Sequence, residues 1–275
     1  MKLGIIGSVY EEAAKNIELF QATKAKGLDF LEFCINGERG SEKQSYANID
    51  LLVKNENLLK ECTEESGVGV GSIGRWGSDR IDSNGKIIKE ELEQSCRIID
   101  ASGVIGCPNF VCGCNFVEGL SLYRNATGAI EFLGKLIDYG KSRNVKISTY
   151  NCRGNSFIVE PSAWKLIHGE LCDLGIKFDP SHSIGDGGDY LKEMADWGHR
   201  FYHVHIKGSL TIGGKRYDDP PAGLDQTDWG SFMSVLYSVG YKGGLSIEPH
   251  SRHWTGELGE KGLNYTISFM KNLML

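Results

Sequence analysis

The stretch RFYHVHIKGS, Arg200 to Ser209, decides how the chain is read. Phe201, Tyr202, Val204 and Ile206 mark it as a buried strand. Side chains alternate along a strand, so His203, His205 and Lys207 share one face of it. Two imidazoles and an ammonium on one face of an otherwise apolar strand call for something on that face to meet them.

Working outward, strand-like runs recur with helical spacing between them. They are KLGIIGSV (2–9), LDFLEFCI (28–35), VGVGSIGRW (68–76), NFVCGCN (109–115), VKISTYN (145–151), GIKFDPS (175–181), FYHVHIKG (201–208) and GLSIEPH (244–250). The segments between them repeat apolar residues at the period of a helix, as in EEAAKNIELFQATKAKG and GAIEFLGKLIDYGKSRN. Several end in glycine, at Gly27, Gly67 and Gly103, as left-handed helix caps do. Pro161 suits the first turn of its helix, and the last helix is placed after Gly262. Eight strand–helix alternations predict an α/β fold, a closed (β/α)8 TIM barrel forming one domain over residues 1–275. GIIGSV after the first strand lacks the glycine fingerprint of a dinucleotide-binding sheet.

Composition agrees and excludes some partners. The 275 residues are 40 % hydrophobic and 24 % charged, ordinary for a globular domain. A net charge of −6 offers no basic field for nucleic acid or an anionic membrane. No apolar run approaches the roughly 18 residues needed to span a bilayer. MKLGIIGSVY reads as a first strand, not as an export signal. The eight cysteines are scattered without a CxxC pair, which points to reduced thiols and a cytoplasmic setting.

In such barrels the site lies at the C-terminal ends of the strands. Those ends deliver Glu32, Arg75 and Trp76, Asn115, Tyr150 and Asn151, Asp179 and His182, then His203, His205 and Lys207, and finally Glu248, His250 and Arg252. Asp179, His205 and Glu248 fall on three adjacent strands, so closure brings them together. Two carboxylates and one imidazole make a mixed oxygen and nitrogen site for a single divalent ion, Mn²⁺ first, with Mg²⁺, Co²⁺ or Zn²⁺ as options. The plainer alternative is ion pairing of Asp179 and Glu248 with Lys207, Lys177 or Arg252, since a buried carboxylate needs some cation. His203 lies one layer deeper and reads as structural.

FDPSH on the sixth strand, YHVHIKG on the seventh and GYKGGLSIEPH around the eighth resemble the xylose isomerase-like TIM-barrel superfamily, a group of sugar isomerases, epimerases and inosose dehydratases that also includes endonuclease IV-type enzymes. The resemblance implies a metal held by Asp179, His205 and Glu248, and departs at the fifth strand, where Tyr150-Asn151 stands for the family's Glu-Asn. It also implies a small carbohydrate substrate and no nucleic acid, because Arg75-Trp76 and Cys114-Asn115 stand where an endonuclease cluster needs histidines. The expected activity is isomerisation or epimerisation of a sugar through an enediolate. A lyase or dehydratase acting on a keto-sugar or cyclitol, and a non-catalytic sugar-binding barrel, are the alternatives. Glu248, His182, Tyr150 and Lys207 are the expected catalytic residues; Glu32, Trp76, Asn115, Asn151, Arg252 and His250 are the expected substrate contacts. A homo-oligomer is compatible with this reading.

Overall fold

The computed structural model describes residues 1–36 and 46–275. Among the described residues ten strands occur in chain order: β1 (Lys2–Gly7), β2 (Phe30–Cys34), β3 (Gly69–Arg75), β4 (Asn109–Cys112), β5 (Lys146–Tyr150), β6 (Gly175–Phe178), β7 (Phe201–Ile206), β8 (Leu210–Ile212), β9 (Lys215–Asp218) and β10 (Gly244–Ile247). Eight of them close a parallel barrel in the order β1-β10-β7-β6-β5-β4-β3-β2. The helices are α1 (Ala13–Ala25), α2 (Ala47–Ser66), α3 (Lys89–Ile105), α4 (Leu122–Lys141), α5 (Pro161–Glu170), α6 (Pro180–Gly185), α7 (Tyr190–Trp197), α8 (Trp229–Ser238) and α9 (Gly256–Leu273). The (β/α)8 expectation is met. Among the described residues no helix is long and apolar enough to cross a membrane.

Strand parity sorts the two faces. Leu31, Phe33, Ile147, Val204, Ile206, Leu245 and Ile247 are buried in the hydrophobic core. The opposite parity lines the barrel interior, which is unusually polar. At its base the Phe30 ring spreads under β1, β3 and β10, and a Cβ on Gly4, Gly71 or Gly244 would strike it. Above lies a chain of polar contacts in which Ser148 Oγ donates to Asn109 Oδ1 (2.6 Å) and Asn109 Nδ2 to Ser72 Oγ (3.4 Å).

Four boundaries differ from the sequence reading. α3 runs through Gly103 to Ile105, and Gly106, at φ 83°, is its left-handed cap. Gly103 fits inside the helix because its missing side chain lets Arg143 pack close. The sixth strand stops at Phe178 and turns at once into α6. The segment after β7 forms the antiparallel hairpin β8–β9, which no periodic apolar pattern announced. The last helix starts at Gly256, ahead of Gly262.

Candidate metal centre

Asp179 caps the N-terminus of α6: its Oδ1 accepts from the Ser181 backbone N–H at 2.9 Å. Asn151 fixes the same residue's backbone, Nδ2 donating to the Asp179 carbonyl (2.9 Å) and Oδ1 accepting from the Asp179 N–H (3.0 Å). These contacts aim Asp179 Oδ2 into the mouth, where it is buried without a hydrogen-bond partner. An orphaned buried carboxylate oxygen is costly and marks where a cation would sit.

From β7, His205 reaches the same point. Its Nδ1 stands 2.8 Å from Glu248 Oε2 and 3.8 Å from Asp179 Oδ2. One donor atom from each of Asp179, His205 and Glu248 lies within 4.8 Å of the others. The other ring nitrogen, Nε2, meets Glu32 Oε1 and Oε2 at 3.0 and 2.9 Å. Glu32 also takes His203 Nε2 at 2.6 Å. A carboxylate behind a histidine fixes its tautomer and raises its basicity toward a metal. Here the carboxylate comes from β2 and leaves Nδ1 of His205 facing the ligand position. The trio Glu32, His203 and His205 could also group around an ion, but both Glu32 oxygens already meet imidazole nitrogens at 2.6–3.0 Å. The first group also contains a made contact, His205 to Glu248, yet keeps Asp179 Oδ2 without a hydrogen-bond partner.

Charge states follow from the surroundings. Burial raises the Asp179 carboxyl, but Lys207, His182, Lys177 and His205 outweigh it and hold the group well below the usual carboxylate range. Burial likewise opposes ionisation of Glu248, yet its hydrogen bond and charge interaction with His205, with Lys207 beyond, bring it to about 2. Glu32 is ionised despite burial because two imidazoles face it. Burial pushes His182 down to about 4 against the pull of Asp179, so its imidazole is neutral at neutral pH. Both metal-facing carboxylates are therefore anionic, as a divalent ion requires.

Lys207 Nζ lies 3.7 Å from Asp179 Oδ2 and 3.6 Å from Glu248 Oε2, and Lys177 Nζ lies 4.0 Å from Asp179 Oδ2. The ion-pair alternative raised by the sequence thus has its partners nearby. The lysine separations exceed hydrogen-bond length, and with His182 Nε2 at 3.4 Å they still leave Asp179 Oδ2 without a hydrogen bond. The donor set fits a divalent ion, with Lys207 close beside it.

Six other sequence-derived placements change, and a seventh, Trp76, is refined. Glu32 is wholly buried between the two histidines, so it has no surface for a substrate. Asn151 serves the Asp179 backbone, as above. Asn115 braces the loop after β3, its Oδ1 accepting from the Arg80 and Ile81 N–H groups at 2.7 and 3.1 Å and its Nδ2 donating to the Ile81 carbonyl. The Tyr150 hydroxyl donates to the Gly154 carbonyl at 2.8 Å and lies over Gly113, while burial lifts its pKa further above that of a free phenol. It is committed to the loop after β5 rather than to an acid or base role. His250 is exposed and tied to Asp219 Oδ2 at 2.7 Å; Arg252 is exposed on the same loop. Trp76 bends inward over Gly74, where a Cβ would collide with its ring, and stacks on Tyr150 at 5.4 Å between centroids. It remains partly open to solvent.

Sequence reasoning passed over two features. Lys177 entered only as a counter-ion, though its parity with Asp179 places both in the barrel interior and was readable. The fully buried Arg75–Glu91–Arg80 cluster behind β3 had no local signal, since Glu91 is one of several acids at the start of α3.

A closed parallel barrel with donors converging at the C-terminal ends of β6, β7 and β10 defines a class of α/β barrels built around a mouth-centred site. The particular family follows from comparison: the description "xylose isomerase-like TIM barrel" matches residues 20–273, and the chain belongs to that family. Comparison with curated proteins gives no match. Among solved structures, the chain is similar to 3-keto-D-glucoside 4-epimerase from E. coli, at 17 % identity and TM-score 0.73 over 99 % of both chains. It is similar to D-allulose 3-epimerase from Methylomonas sp. in complex with D-allulose, at 16 % identity and TM-score 0.76, covering 99 % of this chain and 96 % of that one. An AP endonuclease, family 2, from Brucella melitensis shares 15 % identity at TM-score 0.71, with 98 % of both chains covered. At these identities the likeness is one of fold.

Proposed function

We propose that the chain is a sugar isomerase or epimerase that works at one divalent ion held by Asp179 Oδ2, His205 Nδ1 and Glu248 Oε2. The observation that carries this reading is the convergence of those three atoms, one of them orphaned, at the barrel mouth. Two of the similar structures being sugar epimerases supports the substrate class. When bound, the ion would polarise a carbonyl and its neighbouring hydroxyl and acidify the intervening C–H. Mn²⁺ is the first choice for a site of two carboxylates and one imidazole.

The chain's own groups do the rest. Glu248, with a side chain 20 % exposed, is the carboxylate that reaches the substrate and moves the proton. Lys207 places a cation where negative charge develops on the substrate oxygen. His182, neutral and partly open to the mouth, can accept or relay a proton on the opposite side. Trp76 offers the partly open ring face on which a sugar can stack.

A second reading is favoured by one observation: the end of β5 carries Tyr150, not an acid, and its hydroxyl is engaged by the Gly154 carbonyl. A site with one free carboxylate base suits a lyase or dehydratase, which abstracts one proton and expels a neighbouring hydroxyl. Incubating Mn²⁺-loaded protein with ketoses and keto-sugars in D₂O, followed by NMR, separates the readings. Deuterium entering recovered sugar or its epimer supports the first. A dehydrated product supports the second. Metal and sugar binding without exchange or product leaves a binding barrel, and failure to bind Mn²⁺ removes the metal centre.

A further inference from the structure

Lys177 and Lys207 project into the mouth from neighbouring strands and are only 2 % and 3 % exposed. Their nearest carboxylate oxygens, on Asp179 and Glu248, stand 3.6–4.0 Å away, and neither ammonium makes a hydrogen bond among the described residues. An ammonium has three donors, and in a poorly solvated mouth two such groups without a protein acceptor favour an anionic ligand that can accept from them. Among the described residues the two charges are balanced chiefly by Asp179 and Glu248. Glu32 is taken up by His203 and His205, and Asp219, which also acts on Lys207, is held by Arg216 and His250. Those two carboxylates are also the proposed ligands. A divalent ion that engages them adds two positive charges and leaves the lysines without counter-ions. The end of β5 offers no charge to offset them, since Tyr150 there is a phenol bonded to Gly154. The loaded mouth therefore carries excess positive charge in a poorly solvated place, where it acts strongly.

We infer that the substrate is itself an anion whose carboxylate lies next to the chelating oxygens: a 2-hydroxy or 2-oxo sugar acid rather than a neutral sugar. This rests on the metal-dependent reading above and names its substrate class. The position of the lysines carries the detail. Lys207 lies within 3.7 Å of both carboxylate ligands, so the anionic group it meets is within a bond or two of the chelated oxygens. A phosphate at the far end of a longer sugar would lie beyond reach. The metal would take a carbonyl or hydroxyl oxygen, and Lys207 with Lys177 would take the carboxylate oxygens as charge-assisted hydrogen bonds.

The test uses matched three-carbon probes on the intact chain. Mn²⁺ binding is measured first by calorimetry and by the EPR signal of the bound ion. D-glycerate, glycerol, dihydroxyacetone and dihydroxyacetone phosphate are then titrated onto the loaded protein. D-glycerate is expected to bind at least about tenfold tighter than glycerol or dihydroxyacetone, a difference of about 1.4 kcal/mol, and to perturb the Mn²⁺ signal. Lys207→Met is expected to abolish that preference and to tighten Mn²⁺ itself by removing a like charge; Lys177→Met weakens the preference. If Mn²⁺ binds but D-glycerate and dihydroxyacetone bind alike, the anionic substrate is rejected and the metal centre stands; the lysines then serve only charge formed during the reaction. A preference for dihydroxyacetone phosphate without one for glycerate also rejects it, in favour of a remote phosphate. If Mn²⁺ does not bind, the metal centre falls and the inference with it.

Discussion

Behind the end of β3, Arg75 and Arg80 close on Glu91 at 2.7–3.1 Å, whereas across the barrel Lys177 and Lys207 stop 3.6–4.0 Å from Asp179 and Glu248. The first cluster is fully buried and the second nearly so, with Glu248 partly open, and both mix cations with carboxylates. In the first, Glu91 is gripped by both guanidinium groups, Arg75 through two nitrogens. Further donors go to the carbonyls of Ile35, Ser78 and Arg75, and Arg80 Nε is the buried donor left without a partner. In the second, the carboxylates are oriented by backbone and imidazole contacts, Asp179 Oδ2 is left orphaned, and the ammoniums hover. A buried ion pair that only supports the fold brings its carboxylate onto its cations at hydrogen-bond length, because a buried carboxylate oxygen left unmet costs stability. A cluster prepared for a ligand leaves those valences open and recovers the cost when the ligand arrives.

Breaking each cluster should therefore show opposite costs. Glu91→Gln removes the one carboxylate between two buried guanidinium groups and is expected to lower unfolding free energy by about 3–5 kcal/mol, read from urea melts. Asp179→Asn should cost less than half as much in stability while eliminating Mn²⁺ binding. Equal losses from the two substitutions would show that the open cluster is structural after all.

A third polar contact sharpens the rule for closed sites. On α5, His168 Nδ1 donates to the Leu174 carbonyl (3.2 Å) while Nε2 meets the Thr149 hydroxyl (3.0 Å). Burial pushes its pKa down to about 4, against the Leu174 carbonyl. The unfolded chain therefore binds a proton from about pH 6.5 that the folded chain refuses until about pH 4. The neutral contact contributes fully above the unfolded value and is lost as pH falls through that window, by about 3 kcal/mol in all. Urea midpoints measured from pH 7 to pH 4 should fall more steeply for the parent chain than for His168→Gln. Parallel curves would mean that the imidazole titrates freely.

The smallest effect concerns the position between the clusters. Tyr150→Glu places a shorter, anionic side chain at the end of β5 and should tighten Mn²⁺ by about tenfold while losing the Trp76 stack and the Gly154 bond. Unchanged Mn²⁺ affinity by calorimetry would mean that the end of β5 points to β4 rather than to the metal, as the phenol now does.

Much of this was legible along the chain because it depends on local periods. Alternation of period two on β7 put His203, His205 and Lys207 on one face, and the strand–helix count required a barrel. Together they bring Asp179, His205 and Glu248 to one end. Local patterns failed where the outcome depends on what lies across the barrel or beyond a strand end. Glu32 looked like a rim residue, but closure carries β2 to within reach of β7, and two imidazoles bury it. Asn151 and Asn115 share strand ends with site residues, yet their amides satisfy backbone groups that the turns would otherwise strand. Trp76 turns inward because Gly74 leaves room for its ring. The sequence by itself determined the fold and the chemical types at the mouth, since both follow from periodicity and residue identity. Only the tertiary structure decided which charges are closed and which are left open, because that rests on distances between strands far apart in the chain and on the competition for each buried donor and acceptor.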